Sequence, residues 1–364
     1  MKILIDINHP AHVHLFRNFA KIMETKGHKI LFTTREKEVT LDLLQYYKLN
    51  YISLGKHYKK LTGKIIGLPK FDYLLYKVSK KFNPDIFLSM ASIYASHVSF
   101  LLNKDHIAFE DSEPVPEHQI LYVPFTKIIL TPEKLKKSFG KKQIRYNGYN
   151  ELAYLHPNYF KAQKEVYDFL NIKQNERFAI LRFVSFNASH DIGIQGFSNN
   201  DKLFIVKELE KYGKVFISSE KELPQSLENN RIKIPPHFLH SALYYSSAYL
   251  GDSQTMATEA AILGTPSVRC NSFPESRKEM SNFEELEIDY GILYNFNYRR
   301  KQEALMKTIE LFKNSDSKIE WSEKRRKLLS KKIDVTAFMV WFVENYPESA
   351  KIMKKSPDFQ KRFK

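Results

Sequence analysis

Cysteine is nearly absent. Cys270 is the single thiol in 364 residues, which excludes an internal disulfide and a cysteine-based zinc site. An intracellular setting is the expectation that follows. Long apolar runs are missing too: no stretch of 18 apolar residues occurs, so no membrane-spanning helix is expected. The opening Met1-Lys-Ile-Leu-Ile-Asp6 sets an acid into its apolar stretch and reads as a first strand, not a signal peptide. Acids are in deficit, 41 Asp and Glu against 57 Lys and Arg, leaving a formal charge of +16. Such a charge attracts nucleic acid, but no helix-turn-helix, zinc-finger or RNP signature accompanies it, so no nucleic-acid partner is expected. A short internal repeat is also lacking. What is present, 43% hydrophobic and 14% aromatic residues, describes a globular chain long enough for two cores.

The positive charge is concentrated. Between Lys56 and Phe82 lie eight lysines and one acid, Asp72, interleaved with residues such as Ile65, Phe71, Tyr73, Leu75 and Tyr76. This mixture suits the face of an anionic bilayer, where each nearby lysine contributes about 1 kcal/mol. It also describes a solvated lysine-rich surface.

Strand and helix patterns alternate along the chain. Residues 3–7, 29–34, 51–54, 84–89, 106–109 and 128–130 read as strands, with helices expected over 12–26, 39–47 and 92–102. A polar, aromatic segment, 149–175, separates the halves. Alternation then resumes: strands 178–183 and 215–218, helices 201–212 and 240–246, and a helical, basic C-terminus. The pattern predicts an α/β protein with parallel sheets. Its expected domains are residues 1–150, 151–334 and a basic helical segment, 335–364.

The most informative stretch is Leu250-Gly-Asp-Ser-Gln-Thr-Met-Ala-Thr-Glu-Ala-Ala-Ile-Leu-Gly-Thr-Pro266. It reads as a strand end, a polar loop, a helix of small residues, then a Gly264 cap and the Pro266 stop. Free N–H groups at the helix start, beside Ser253, Gln254 and Thr255, suit a diphosphate. Glu259, one turn in, suits sugar hydroxyls. The alternative is a well-capped strand–loop–helix unit in which Glu259 serves the helix dipole.

Three further clusters carry polar chemistry. In Asp6-Ile-Asn-His-Pro-Ala-His-Val-His14, histidines at i and i+2 do not share a helix face, so no metal is expected. There His12 is a base, an acceptor-orienting group or a helix-start residue. Glu110-Asp111-Ser112-Glu113 crowds three carboxylates, which raises proton affinity and suits a general base, or caps a turn. Arg182 precedes Ser185-Phe-Asn-Ala-Ser-His190-Asp-Ile-Gly193, a loop able to turn N–H groups toward phosphate.

These motifs, with Ser218-Ser-Glu220 and Pro235-Pro-His-Phe238, resemble the GT-B superfamily of nucleotide-sugar enzymes. More narrowly, residues 1–345 resemble an uncharacterised bacterial and archaeal family within it. The resemblance implies two Rossmann-like domains with parallel sheets facing a central cleft. It implies Ser253, Gln254 and Thr255 for phosphate, Glu259 for ribose, and Ser219, Glu220, His237 and Phe238 near the nucleotide, with the last two framing uracil. Two relatives offer models: the UDP-N-acetylglucosamine 2-epimerases and the N-acetylglucosaminyltransferase that completes lipid II. The epimerases carry Gly-Asp where this chain reads Met90-Ala91. Glu110 matches a second epimerase carboxylate, and His190 is comparable with an epimerase histidine. With one epimerase acid missing, a glycosyltransferase is expected, with the epimerase as alternative. It is expected to use a UDP-sugar donor and a lipid-linked or polysaccharide acceptor at the cytoplasmic membrane face, without metal or other cofactor. The expected catalytic residues are His12, Glu110, Asp111 and His190, with Arg182 stabilising the departing diphosphate.

Overall fold

A computed structural model describes the chain apart from residues 38, 57, 59–60, 114–115, 185–195, 220–221 and 275–279, and the side chains of 61–66. It divides into two compact units, residues 1–159 with 332–364, and residues 160–331.

The first unit is a seven-stranded, wholly parallel sheet. Its strands are β1 (Lys2–Ile7), β2 (Lys29–Glu36), β3 (Tyr51–Lys56), β4 (Ile86–Met90), β5 (Asp105–Phe109), β6 (Ile128–Pro132) and β7 (Gln143–Tyr146), ordered β3-β2-β1-β4-β5-β6-β7. Helices α1 (Pro10–Thr25), α2 (Thr40–Tyr46), α3 (Leu61–Phe82), α4 (Ile93–Leu101) and α5 (Pro116–Tyr122) connect the strands. Strands buried on both faces need near-continuous apolar runs, and β1, β4 and β5 supply them. Chain order reverses between β1 and β4. Ligand groups in open α/β sheets gather at such a switch point, past the strand C-termini.

The second unit is a five-stranded parallel sheet of order β12-β11-β10-β8-β9. Its strands are β8 (Phe178–Phe183), β9 (Lys214–Ser219), β10 (Ala248–Gly251), β11 (Ser267–Asn271) and β12 (Leu293–Asn297). Its principal helices, numbered on from α5, are α6 (Asn199–Leu209), α7 (Leu239–Tyr245), α8 (Gln254–Ile262), α9 (Lys301–Lys313) and α10 (Ser317–Lys331). The switch point falls between β8 and β10.

Four features depart from the sequence reading. β7 and β12 are short edge strands that the periodicity does not announce. The lysine-rich stretch contains a helix, α3, and two of its described apolar residues are core residues, while Tyr73 is exposed. Phe71 and Leu75 are buried with Leu4, Phe87, Ala95 and Val98, while Lys70, Lys77, Lys80 and Lys81 face outward. The spacing is that of an amphipathic helix on a sheet. Finally, residues 335–364 are not a separate segment. Helix α11 (Val335–Glu344) buries Val335, Phe338, Met339, Phe342 and Val343 in the first unit. Phe338 stacks on Tyr146 of β7, ring centroids 5.9 Å apart. Glu344 pairs with Lys26 at 2.6 Å, and Asp334 accepts hydrogen bonds from Asn158 and Tyr159. Apolar burial decides where the segment goes, and its lysines remain outside.

Candidate functional site

At the C-terminal edge of the first sheet, Glu110 directly follows β5 and is 2% exposed. One carboxylate oxygen accepts from the Ser112 N–H at 2.8 Å, the other from the Tyr122 hydroxyl at 2.8 Å. Burial pushes the Glu110 carboxyl up to about 7, with the neighbouring Asp111 charge adding to it and both hydrogen bonds opposing it. Asp111 is also pushed upward by burial. It accepts from Asn150 at 2.7 Å, and Asn150 in turn accepts from the Tyr146 hydroxyl at 2.6 Å. A carboxylate poised near neutrality can take up and return a proton. Tyr122 and Asn150, which hold the two acids, carry no sequence signal: they come from α5 and from the turn after β7.

His12 occupies the start of α1, beside the β1–β4 switch point. His9 is the N-cap, its ring accepting from Ala11 N–H at 3.2 Å. Burial lowers the His12 pKa well below the ordinary value, and the nearby positive groups His9, Lys37, Arg35 and His118 reinforce the shift. The Asn8 N–H points at Nδ1, 3.5 Å away, an orientation that favours a proton on Nε2. His12 is thus neutral at pH 7 and suited to donate a hydrogen bond from Nε2. Between β1 and β4, Asp6 is locked: Arg35 donates to both its oxygens at 3.1 Å, and Thr33 and Ser92 donate at 2.8 and 2.5 Å. Ser92 also caps α4, directly after Ala91, whose φ of 48° lies in the left-handed region.

In the second unit, the expected strand–loop–helix is present. Ser253 is the N-cap of α8, accepting from the Met256 N–H at 3.3 Å. Ser253, Gln254 and Thr255 are half-exposed at the helix start. Asp252 is buried beside them and accepts from the Val184 N–H at 2.8 Å, joining β10 to β8 across the switch point. Burial raises its carboxyl to about 7, against the pull of Arg182 and Lys202, so its negative charge beside the helix start is reduced. Arg182, at the end of β8, donates to the Ser218 hydroxyl at 2.7 Å. Ser219 ends β9 next to it, and its carbonyl accepts from Arg231. Arg182, Ser219, Ser253, Gln254 and Thr255 therefore share one sheet edge.

Glu259 is 5% exposed and sits 3.0 Å from His240 Nε2 of α7. It lies one turn into the helix as expected, engaged with a histidine that sequence reading treated only as part of a helix. His237 and Phe238 precede α7 in a 3-10 turn. Phe238 is buried against Phe169, centroids 4.7 Å apart, whereas His237 is half-exposed with its pKa lowered by burial. His190 and Glu220 lie outside the described residues. Among the described residues, no three His, Cys, Asp or Glu side chains converge to hold a metal.

The two parallel sheets match solved glycosyltransferase and epimerase structures. The glycosyltransferase SsfS6 of Streptomyces sp. SF2575 superposes with a TM-score of 0.59 at 11% identity, covering 95% of this chain and 100% of that one. The UDP-GlcNAc 2-epimerase from Neisseria meningitidis, bound to UDP-GlcNAc, gives 0.59 at 15% identity, covering 98% and 99%. The fold is GT-B. In sequence, the uncharacterized protein MJ0665 of Methanocaldococcus jannaschii is 27% identical over 287 residues, 74% of this chain and 82% of that protein. The model of the family described as "Protein of unknown function (DUF354)" matches residues 1–346, and the chain belongs to that family.

Proposed function

We propose that the protein is a glycosyltransferase that moves a hexosyl or N-acetylhexosaminyl group from a UDP-sugar to a lipid-linked or polysaccharide acceptor, at a membrane surface of anionic lipid. The observation that carries this reading is Glu110, a buried carboxylate tuned to about 7 at a sheet edge. In the reaction, the acceptor oxygen bonds to the anomeric carbon and the bond from that carbon to the diphosphate oxygen breaks. The acceptor proton passes to Glu110, and UDP leaves. The start of α8 and Arg182 supply hydrogen bonds and positive charge for the departing diphosphate. His12, donating through Nε2, orients the acceptor.

A 2-epimerase must manage a proton at the carbon beside the anomeric centre, which calls for further acid–base groups around the sugar. The raised proton affinity of Asp111 favours that second reading. Against it, β4 ends at Met90 with Ala91 following, and the nearby Asp6 is held by Arg35. The deciding experiment incubates the protein with UDP-N-acetylhexosamines, with and without a lipid-linked acceptor, and reads the sugars by NMR. UDP release only with acceptor supports the transferase. Conversion to the 2-epimer without acceptor overturns it.

A further inference from the structure

Away from the carboxylates, α4, α5 and the 3-10 turn Val123–Phe125 that follows α5 expose apolar side chains toward solvent. Phe100 is 63% exposed, Leu101 67% and Ile120 71%, with Leu121 and Phe125 also open. They form one patch. The Phe100 and Phe125 rings meet edge to face at 5.4 Å. His97 of α4 packs its ring against Phe125 and is within hydrogen-bonding distance of the Leu121 carbonyl, 3.0 Å away. The other ring nitrogen of His97 reaches Asp72 of α3 at 2.9 Å. Beside Asp72, Tyr73 is 61% exposed, with the Lys77 ammonium 5.6 Å from its ring. A soluble surface seldom groups so many large apolar side chains without a partner.

The surroundings of the patch are basic. Lys142 donates to the carbonyls of Val123 and Pro124 at 2.7 and 2.9 Å, directly beneath the turn that carries Phe125. Burial lowers the Lys142 pKa, and the nearby Lys127 charge adds to the shift. Lys104 follows α4, and Lys70, Lys77, Lys80 and Lys81 face outward along α3. Nearby acids are few and mostly engaged: Asp72 with His97, Asp105 with the Tyr346 hydroxyl, leaving Glu117 exposed on α5.

We propose that this patch docks the first unit onto an anionic lipid bilayer. Phe100, Leu101, Ile120 and Phe125 enter the boundary between headgroups and acyl chains, and the lysines meet the lipid phosphates. The proposal deepens the transferase reading, on which its biological sense rests, by naming the surface that meets the lipid. It differs from a lysine-rich stretch acting alone, because the apolar residues of α3 are largely committed to the core. α5 joins the two roles. Its outer face presents Ile120 and Leu121, and its last residue, Tyr122, holds Glu110. A lipid-linked acceptor gathered at the patch therefore lies one helix away from the candidate base.

The test uses the full chain, without any sugar donor, in flotation with vesicles of phosphatidylcholine alone or mixed with phosphatidylglycerol. Binding should appear with phosphatidylglycerol and weaken as salt rises. The double variant Leu101→Ser, Ile120→Ser should reduce the bound fraction by about tenfold or more. A lysine variant, Lys104→Gln with Lys127→Gln, should lower binding and flatten its salt dependence. Circular dichroism and UDP affinity should stay unchanged in both, which separates loss of docking from misfolding and from failure of the nucleotide reading. Absence of wild-type binding, or equal binding by the apolar variant, overturns the proposal. A concentration-dependent dimer in sedimentation velocity that the apolar variant abolishes reassigns the patch to self-association.

Discussion

At the edge of the first sheet, Glu110 and Asp111 lie side by side, each held by neutral hydrogen-bond donors and each driven by burial toward protonation. At the edge of the second, the Ser253–Thr255 helix start and Arg182 are half-exposed, while Asp252 is buried beside them and the acid Glu259 is buried against His240. In the proposed reaction the first edge exchanges a proton and the second holds an anion, although Asp252 of the second edge is raised by burial as Glu110 is. The same parallel architecture produces both. Neutral donors around a buried carboxylate leave its desolvation uncompensated, whereas a cationic partner or a helix dipole stabilises fixed charge.

The sharpest way to break this comparison is Glu110→Gln. If the first edge supplies the base, turnover should fall by about 10²–10⁴ while calorimetry finds UDP affinity unchanged. Equal losses in both would tie Glu110 to the nucleotide instead. Next in size is Phe338→Ala. Removing a fully buried aromatic against Tyr146 should cost about 3–5 kcal/mol. Hydrogen exchange should report loosening in β7 and α11, with β8–β11 protected as before. Uniform loosening would mean that the C-terminal helix does not belong to the first unit alone.

A smaller effect concerns pH. The folded carboxyl of Glu110 titrates near 7, above its ordinary value of 4.5. Between those values the folded state holds a proton that the unfolded chain has released. Stability therefore falls as pH rises through that window, and below it the effect vanishes. Glu110→Gln removes the ionisation, so denaturant titrations should find it more stable than the wild type at pH 8, by about 3 kcal/mol, with the gap closing by pH 4. A constant gap would place the effect in packing. The smallest change is Ser253→Ala. Loss of the N-cap should cost about 1 kcal/mol of stability and weaken UDP binding severalfold, leaving the pH profile of turnover where it was. A shifted profile would show that the edges are not separable in this way.

The residues legible beforehand were those whose role follows from local sequence. Ser253 caps α8 because a polar residue before a run of small apolar ones does so locally, and β1 and β5 are strands because their apolar runs suit burial on both faces. The carboxylate cluster was visible as composition. What determines its chemistry was not: Tyr122 and Asn150 lie 12 and 39 residues from the acids they hold. Glu259 was placed on its helix correctly, but His240 reaches it from another helix, 19 residues earlier. Likewise, Phe71 and Leu75 of α3 go to the core, and Phe100 and Leu101 of α4 and Ile120 of α5 are left outside. By itself, then, the sequence determined the alternation of elements, the parallel sheets and the anion-suited helix start, all consequences of short-range periodicity and capping. Only the tertiary structure decided which carboxylates are desolvated, which acid is paired and which apolar surface is left for a partner. Burial and pairing depend on residues distant in the chain, and no local pattern encodes them.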